Sequence, residues 1–162
     1  MGNNEAHVNE ETIHSLYARD LSRLDELFKN YQSLKYLDGQ RASEFFREFK
    51  VGLERHIAWG DGIHFPIFEM KMGMMDCGPT QVMRMEHRQI KDCLKNIEEK
   101  VQAKNLQSDD EEVELLSILS SHNFKEEHIL YPALDEMLDN TEKETVFAAM
   151  KNVGKVRYRA FC

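Results

Sequence analysis

A histidine-centred motif occurs twice in this chain, beginning at His56 and again at His122, 66 positions later. Each copy has an acidic residue five positions after the histidine, then an aromatic–proline pair and a second acidic residue at matching offsets. The corresponding residues are Asp61, Phe65, Pro66 and Glu69 in the first copy, and Glu127, Tyr131, Pro132 and Asp135 in the second. In the second copy Glu126 follows His122 by four positions, so on a helix both side chains share one face and can direct two ligand atoms at one metal ion. The first copy has Gly60 at this position, and the two motifs therefore indicate a metal site that is altered on one side.

Three histidines carry the metal hypothesis, because each falls on the apolar side of a different predicted helix: His56, His87 and His122. Any one of them alone would be interpreted as a packed core histidine. Burying three imidazoles together with the Glu126 carboxylate, however, is costly unless the groups bind a metal or pair with one another. The combination therefore favours metal binding.

His64 is a further candidate ligand, since it follows His56 by two helical turns and faces the core. An imidazole at this position could reach into the space that Gly60 leaves. The alternative is a buried histidine that bonds to a carbonyl group or to Tyr17, and the sequence leaves both interpretations open. Asp61 is expected to be solvated or to support a ligand rather than to bind the metal. The predicted metal ligands are thus His56, His64, His87, His122 and Glu126.

Composition narrows the class of protein. The 162 residues fit one domain, residues 1–162, with enough apolar content for a core, and 31% of them are charged. A net charge of −8 argues against a nucleic-acid partner, which would require a basic face. No apolar run approaches the ~20 residues of a membrane span, and no signal peptide opens the chain, so we expect a cytoplasmic protein. Three widely spaced cysteines indicate neither a disulfide framework nor a zinc knuckle, and Cys93 is expected to pack in the core.

The elements that must position these ligands are helices. Helical spacing of apolar residues, with breaks at Gly and Pro, predicts helices over residues 11–37, 40–72, 79–105, 108–138 and 141–158. Pro66 should kink the second helix, and Pro79 suits the start of the third. Ser108 with Glu111, and Thr141 with Glu144, are typical of capping boxes. Short connections predict an all-α, up-down-up-down antiparallel four-helix bundle over about residues 12–140, followed by a short C-terminal helix.

Over about residues 12–140 the sequence resembles the hemerythrin-like (HHE cation-binding) domain family. The similar stretches, in order, are residues 56–59 (HIAW), 65–69 (FPIFE), 78–80 (GPT), 82–87 (VMRMEH) and 122–132 (HNFKEEHILYP). Each stretch alone is a weak signal, but their order along the chain is specific.

The resemblance implies a four-helix bundle around a non-haem di-iron centre, with ligands at positions matching His56, His87, His122 and Glu126. Three positions depart from the family pattern. The first-helix histidine falls on Leu21, the second-helix glutamate falls on Gly60, and the usual leucine falls on His64.

The two lost ligands would serve the same iron. The residues that remain, His87, His122 and Glu126, form a two-histidine, one-carboxylate set, which is known for mononuclear non-haem iron with open coordination positions. His56 and His64 could complete this set.

Three functions follow as hypotheses. The first is a metal-binding protein with a mononuclear or asymmetric dinuclear iron centre that binds or senses oxygen, nitric oxide or peroxide, or stores the metal; zinc or manganese is an alternative to iron. The second is a mononuclear iron oxidase or oxygenase whose substrate occupies a cavity left by Gly60 and Leu21. The third is a helical interaction bundle without metal. No motif assigns a catalytic residue or an organic cofactor, so enzymatic activity stays open; a homodimer is possible, and neither nucleic acid nor membrane is an expected partner.

Overall fold

The computed structural model describes residues 11–74 and 78–159, the last six of these by their backbone alone. Within these residues every regular element is helical, which confirms the predicted all-α class. The α-helices are α1 (Ile13–Leu34), α2 (Gly39–Trp59), α3 (Phe65–Met72), α4 (Pro79–Gln102), α5 (Asp109–Lys125), α6 (Tyr131–Met137) and α7 (Asn140–Arg159). Two π-helical turns, Gly60–His64 and Glu126–Leu130, join α2 to α3 and α5 to α6. The up-down-up-down order of the bundle stays a prediction.

The two π-helical turns explain why each of two long predicted helices is divided. The N–H of Phe65 bonds to the carbonyl of Gly60, five residues earlier, and the N–H of Tyr131 bonds in the same way to Glu126. Pro66 and Pro132 follow directly, and a proline ring crowds the carbonyl four residues before it. The preceding turn therefore widens into a π turn, where we had predicted a kink at Pro66. The repeated sequence motif thus folds in the same way in both copies.

The helix starts are set by local caps, some of which differ from the prediction. α4 begins at Pro79, as predicted. The predicted capping box of Ser108 is wrong, because no side chain caps α5 and the Ser108 hydroxyl bonds instead to Glu112. The predicted box at Thr141 is also wrong, since the reciprocal bonds that open α7 join Asp139 and Glu142.

The core consists of two apolar clusters, and the candidate ligands lie between them along the helices. On α4, His87 falls between Met83 of one cluster and Ile90 of the other. Cys93 is buried in the same cluster as Ile90, as expected. Cys77 and Cys162 lie outside the described residues. Among the helices that the structure describes, none has the length and apolar character needed to cross a bilayer.

Candidate metal centre

Three of the five predicted ligands converge on one point inside the bundle: His87, His122 and Glu126. Their side chains are buried, with residue exposures of 2%, 3% and 3%. The Nε2 atoms of the two histidines lie 3.0 Å apart. Oε1 of Glu126 lies 3.0 Å from Nε2 of His122 and 3.6 Å from Nε2 of His87. These three donor atoms form an isosceles triangle with His122 Nε2 at its apex.

The size of this triangle suits a metal ion. Imidazole nitrogens and carboxylate oxygens bind divalent transition metals at about 2.1 Å. At that bond length, neighbouring ligands are separated by about 3.0 Å in an octahedral complex and about 3.4 Å in a tetrahedral one. The observed separations of 3.0, 3.0 and 3.6 Å therefore allow one ion to contact all three donors.

Each donor comes from a different part of the helical framework. His87 lies in the middle of α4, His122 lies in the last turn of α5, and Glu126 opens the second π-helical turn. The spacing of four residues places Glu126 one turn after His122, as the sequence predicts. Contacts between α4 and α5 bring His87 to this pair.

Two carboxylates fix the orientation of the imidazoles from the outer side. Nδ1 of His87 lies 2.8 Å from Oδ1 of Asp61, and Nδ1 of His122 lies 2.9 Å from Oε2 of Glu86. Because an ionised carboxylate only accepts hydrogen bonds, each ring donates its Nδ1–H, and the Nε2 lone pairs point inward. Carboxylate–histidine pairs of this kind are the usual support of metal-binding imidazoles. The donor set thus fits a metal cation, which would offset the three facing lone pairs.

The electrostatics of the triangle favour an ionised carboxylate. Burial alone would raise the pKa of Glu126, but the adjacent imidazoles of His122 and His87 hold it well below its usual range. Burial alone would lower the pKa of His87, but Asp61 and Glu126 outweigh it and raise that pKa. Burial, together with the charge of Glu126, raises the pKa of the nearby Tyr17 well above its usual value, so this hydroxyl stays neutral.

His56 lies outside the cluster of converging donors. Its Nε2 atom is 2.6 Å from Oδ2 of Asp20 on α1, and the same carboxylate accepts hydrogen bonds from Arg55 and Arg23. The His56 ring stacks on Trp59, with ring centroids 5.1 Å apart. Ligation of a metal by His56 stays a prediction, and the described geometry gives its Nε2 another partner.

His64 also lies outside the cluster. It is 1% exposed, its Nε2 lies 3.4 Å from the sulfur of Met150, and its Nδ1 has no hydrogen-bond partner within the described part of the chain. Burial lowers the pKa of His64 to about 4, and the opposing charge of Glu126 does not compensate. The interpretation of His64 as a buried neutral histidine therefore fits the geometry, although its partner is a thioether and not a carbonyl or Tyr17.

The space expected at Gly60 is filled, which corrects the prediction of a cavity there. A Cβ atom at this position would lie 2.9 Å from Cε1 of His87 and 3.3 Å from Cζ of Phe65. The Phe65 ring is stacked on His87, with ring centroids 5.2 Å apart. The missing side chain thus makes room for His87, a candidate ligand, and for its aromatic neighbour Phe65. Leu21, the other departure, is half-buried and packs against the apolar cluster on that side.

Sequence reasoning missed two residues that contact the histidines, Glu86 and Asp20. Glu86 directly precedes His87 on α4, so the two side chains leave the helix in different directions. Glu86 reaches His122 on α5, and only the packing of α4 on α5 shows this contact. Asp20 directly precedes Leu21, where the family pattern has a ligand histidine. Its place beside that position was the signal in the sequence that could have identified it. Glu69, the second acidic residue of the first motif copy, is 6% exposed and pairs with Arg84.

The comparisons with known proteins agree with the site. The family model of the hemerythrin HHE cation binding domain matches residues 11–134 of the chain. The comparisons of this chain with curated proteins and with solved structures found no match. The matched range covers most of the 162 residues, and the chain belongs to the hemerythrin HHE cation-binding family.

Proposed function

We propose that this protein holds one non-haem iron ion on His87, His122 and Glu126, and that it binds or senses a small molecule such as oxygen, nitric oxide or peroxide. The observation that carries the proposal is the triangle of inward-facing donor atoms, with sides of 3.0, 3.0 and 3.6 Å. Two histidines and one carboxylate on one side of an ion suit iron(II) and leave open positions for a small ligand.

The residues around the triangle would perform three tasks. Asp61 and Glu86 hold the imidazoles in the tautomer that binds a metal. Phe65 covers one face of the His87 ring and keeps water from it. The buried rings of Tyr17 and Tyr131, with centroids 4.3 Å apart, lie near Glu126 and cover it from solvent. Together they favour a dry site that admits only a small ligand.

A single ion is favoured over a pair because the other positions of the family's ligand set either lack a donor atom or hold one that has another partner. Leu21 and Gly60 supply no donor, and His56 is held by Asp20. Glu126 therefore serves one ion rather than bridging two. This arrangement favours reversible binding or sensing at one centre over the di-iron chemistry that the family resemblance implies.

The test is metal content after anaerobic loading with iron(II). We expect about one equivalent of iron in the unmodified protein, and a loss of most of it in His122→Ala and Glu126→Gln. His128→Ala is the matched control, because His128 is exposed on the same stretch of chain and has no role in the triangle. Less than a tenth of an equivalent in the unmodified protein, or equal loss in the control, would reject the proposal and favour an interaction bundle without metal.

Two further measurements separate the remaining possibilities. Loading with zinc(II) or manganese(II) in competition with iron(II) establishes the metal preference, which the donor types alone do not fix. Addition of nitric oxide to the iron-loaded protein should change its optical and electron paramagnetic resonance spectra, since an open coordination position admits the ligand. An unchanged spectrum would restrict the role to metal storage. Oxygen consumption only with an added organic substrate would favour the oxygenase alternative.

A further inference from the structure

A cleft of about 730 Å³ opens between α1, α2 and α7, and none of the three candidate metal ligands lines it. Its volume falls within the range of about 300–1,000 Å³ that is typical of small-molecule sites. Three different helices contribute to it, so its shape depends on the tertiary structure. The cleft is therefore a candidate ligand site of its own, independent of the metal.

The charge of this cleft is opposite to that of the whole chain. Its lining contains five cationic side chains and three acidic ones, Glu11, Asp20 and Glu144, whereas the protein carries a net charge of −8. The cationic residues are Arg19, Arg23, Arg55, Lys143 and Lys151. Asp20 is already engaged by Arg23, Arg55 and His56. The remaining balance in the cleft is positive, which favours an anionic ligand.

The positive charge on the α7 side is available. Within the part of the chain that the structure describes, Lys143 and Lys151 take part in no ion pair. Lys143, Phe147 and Lys151 follow one another at intervals of four residues on α7, so they lie along one face of the helix. The aromatic ring is therefore flanked by two ammonium groups.

Apart from Asn140, the remaining lining is apolar, and two of its side chains are held in place. Trp59 and Met150 are 7% and 3% exposed, and the indole N–H of Trp59 donates to the Met150 carbonyl at 3.0 Å. The guanidinium of Arg55 lies over the Trp59 ring, 5.0 Å from its centroid. Leu16 and Phe147 extend the apolar surface. The cleft thus combines a hydrocarbon-binding floor with ammonium groups at one side.

We propose that this cleft binds a small amphipathic carboxylate, with its hydrocarbon body on Trp59 and Phe147 and its carboxylate between Lys143 and Lys151. The apolar floor stabilises the body by about 25 cal/mol per Å² of apolar surface removed from water. The two lysines distinguish an anion from a neutral or cationic compound of the same length. The proposal does not depend on the metal centre, since the ligand residues of the two sites are different.

The chain supplies its own probe, because Trp59 is its single tryptophan and lines the cleft. The experiment is a fluorescence titration of Trp59 in the full chain with decanoate below its micellar concentration, with decanol and decylamine as neutral and cationic analogues. We expect a saturable change with decanoate and binding about tenfold weaker or more for both analogues. No saturable change, or equal affinity for decanol, would overturn the proposal.

Charge-reversed variants locate the site. Lys143→Glu/Lys151→Glu should weaken decanoate binding about tenfold or more, because each reversal replaces attraction by repulsion. Lys91→Glu/Lys95→Glu, on the exposed face of α4, is the control with the same change of net charge and should bind like the unmodified protein. Equal weakening in both variants would show a non-specific effect of net charge and contradict the proposed site. Circular dichroism of each variant verifies that it is folded. A parallel titration with octyl phosphate shows whether the lysines also accept a phosphate anion. Equal or tighter binding of octyl phosphate would contradict the carboxylate assignment.

Discussion

Nε2 of His56 lies 2.6 Å from Oδ2 of Asp20, so a histidine at a position that matches a ligand of the family pattern is hydrogen-bonded to an aspartate of α1. Arg55 donates to both oxygens of the same carboxylate, and Arg23 also contacts it. The charges and hydrogen bonds of His56, Arg23 and Arg55 outweigh burial and hold the pKa of Asp20 well below its usual range. This ion-paired group lies next to Leu21, which directly follows Asp20 in the chain.

His56→Ala should therefore leave the iron stoichiometry near one equivalent, because the three-donor triangle does not include His56. The affinity for iron(II), measured by competition with a chelator, should change by less than about threefold, well under the ~1.4 kcal/mol that a tenfold change represents. Loss of half or more of the bound iron would instead show that His56 is a ligand. His122→Ala, measured in parallel, provides the full-loss reference.

Asp61→Asn should weaken iron(II) binding about 10- to 100-fold, because an amide no longer favours the Nδ1–H tautomer of His87 as strongly. Glu86→Gln should have a similar effect through His122. The measurement is again chelator competition. Asp92→Asn, an exposed carboxylate on α4, is the matched control and should bind iron normally. Unchanged affinity in both test variants would mean that the two carboxylates do not support the site.

Gly60→Ala should destabilise the protein by about 1–3 kcal/mol, the usual cost of overpacking a core. The new Cβ would lie 2.9 Å from Cε1 of His87, and this ring is held on its other sides by Asp61, His122 and Phe65. Urea denaturation measures the free energy of unfolding. Gly62→Ala is the control two residues on, since its Cβ would meet nothing within 4 Å. Equal effects of the two substitutions would show that the space at Gly60 is not limiting.

The metal-free protein should lose stability between pH 7 and pH 5 in part because of His64. Burial lowers its pKa to about 4 in the folded state, whereas the unfolded value is about 6.5. Below pH 6.5 the unfolded state binds more protons, so the free energy of unfolding falls as the pH decreases, by about 2 kcal/mol from this group over that interval. His64→Leu should reduce the slope by about this amount in denaturation series at several pH values. An unchanged slope would place the His64 side chain in contact with water.

Much of the fold follows from local patterns. Helical periodicity located the long helices, and Pro79 marked the start of α4. The ends were less well predicted, because a cap depends on which neighbour a hydroxyl finds. Ser108 contacts Tyr31, 77 positions away in sequence, and so does not cap α5. At Pro66 and Pro132, where proline suggested a simple kink, a π-helical turn divides the predicted helix into two α-helices.

The sequence by itself determined which residues on one helix act together: His122 and Glu126, four positions apart, share a face because helix geometry is local. It also identified the family to which the chain belongs. The tertiary structure alone decided the partners that come from different helices. His87 fills the space beside Gly60, Glu86 reaches across to His122, and Asp20 engages His56. These contacts depend on the relative positions of packed helices, which no spacing within a single helix can specify.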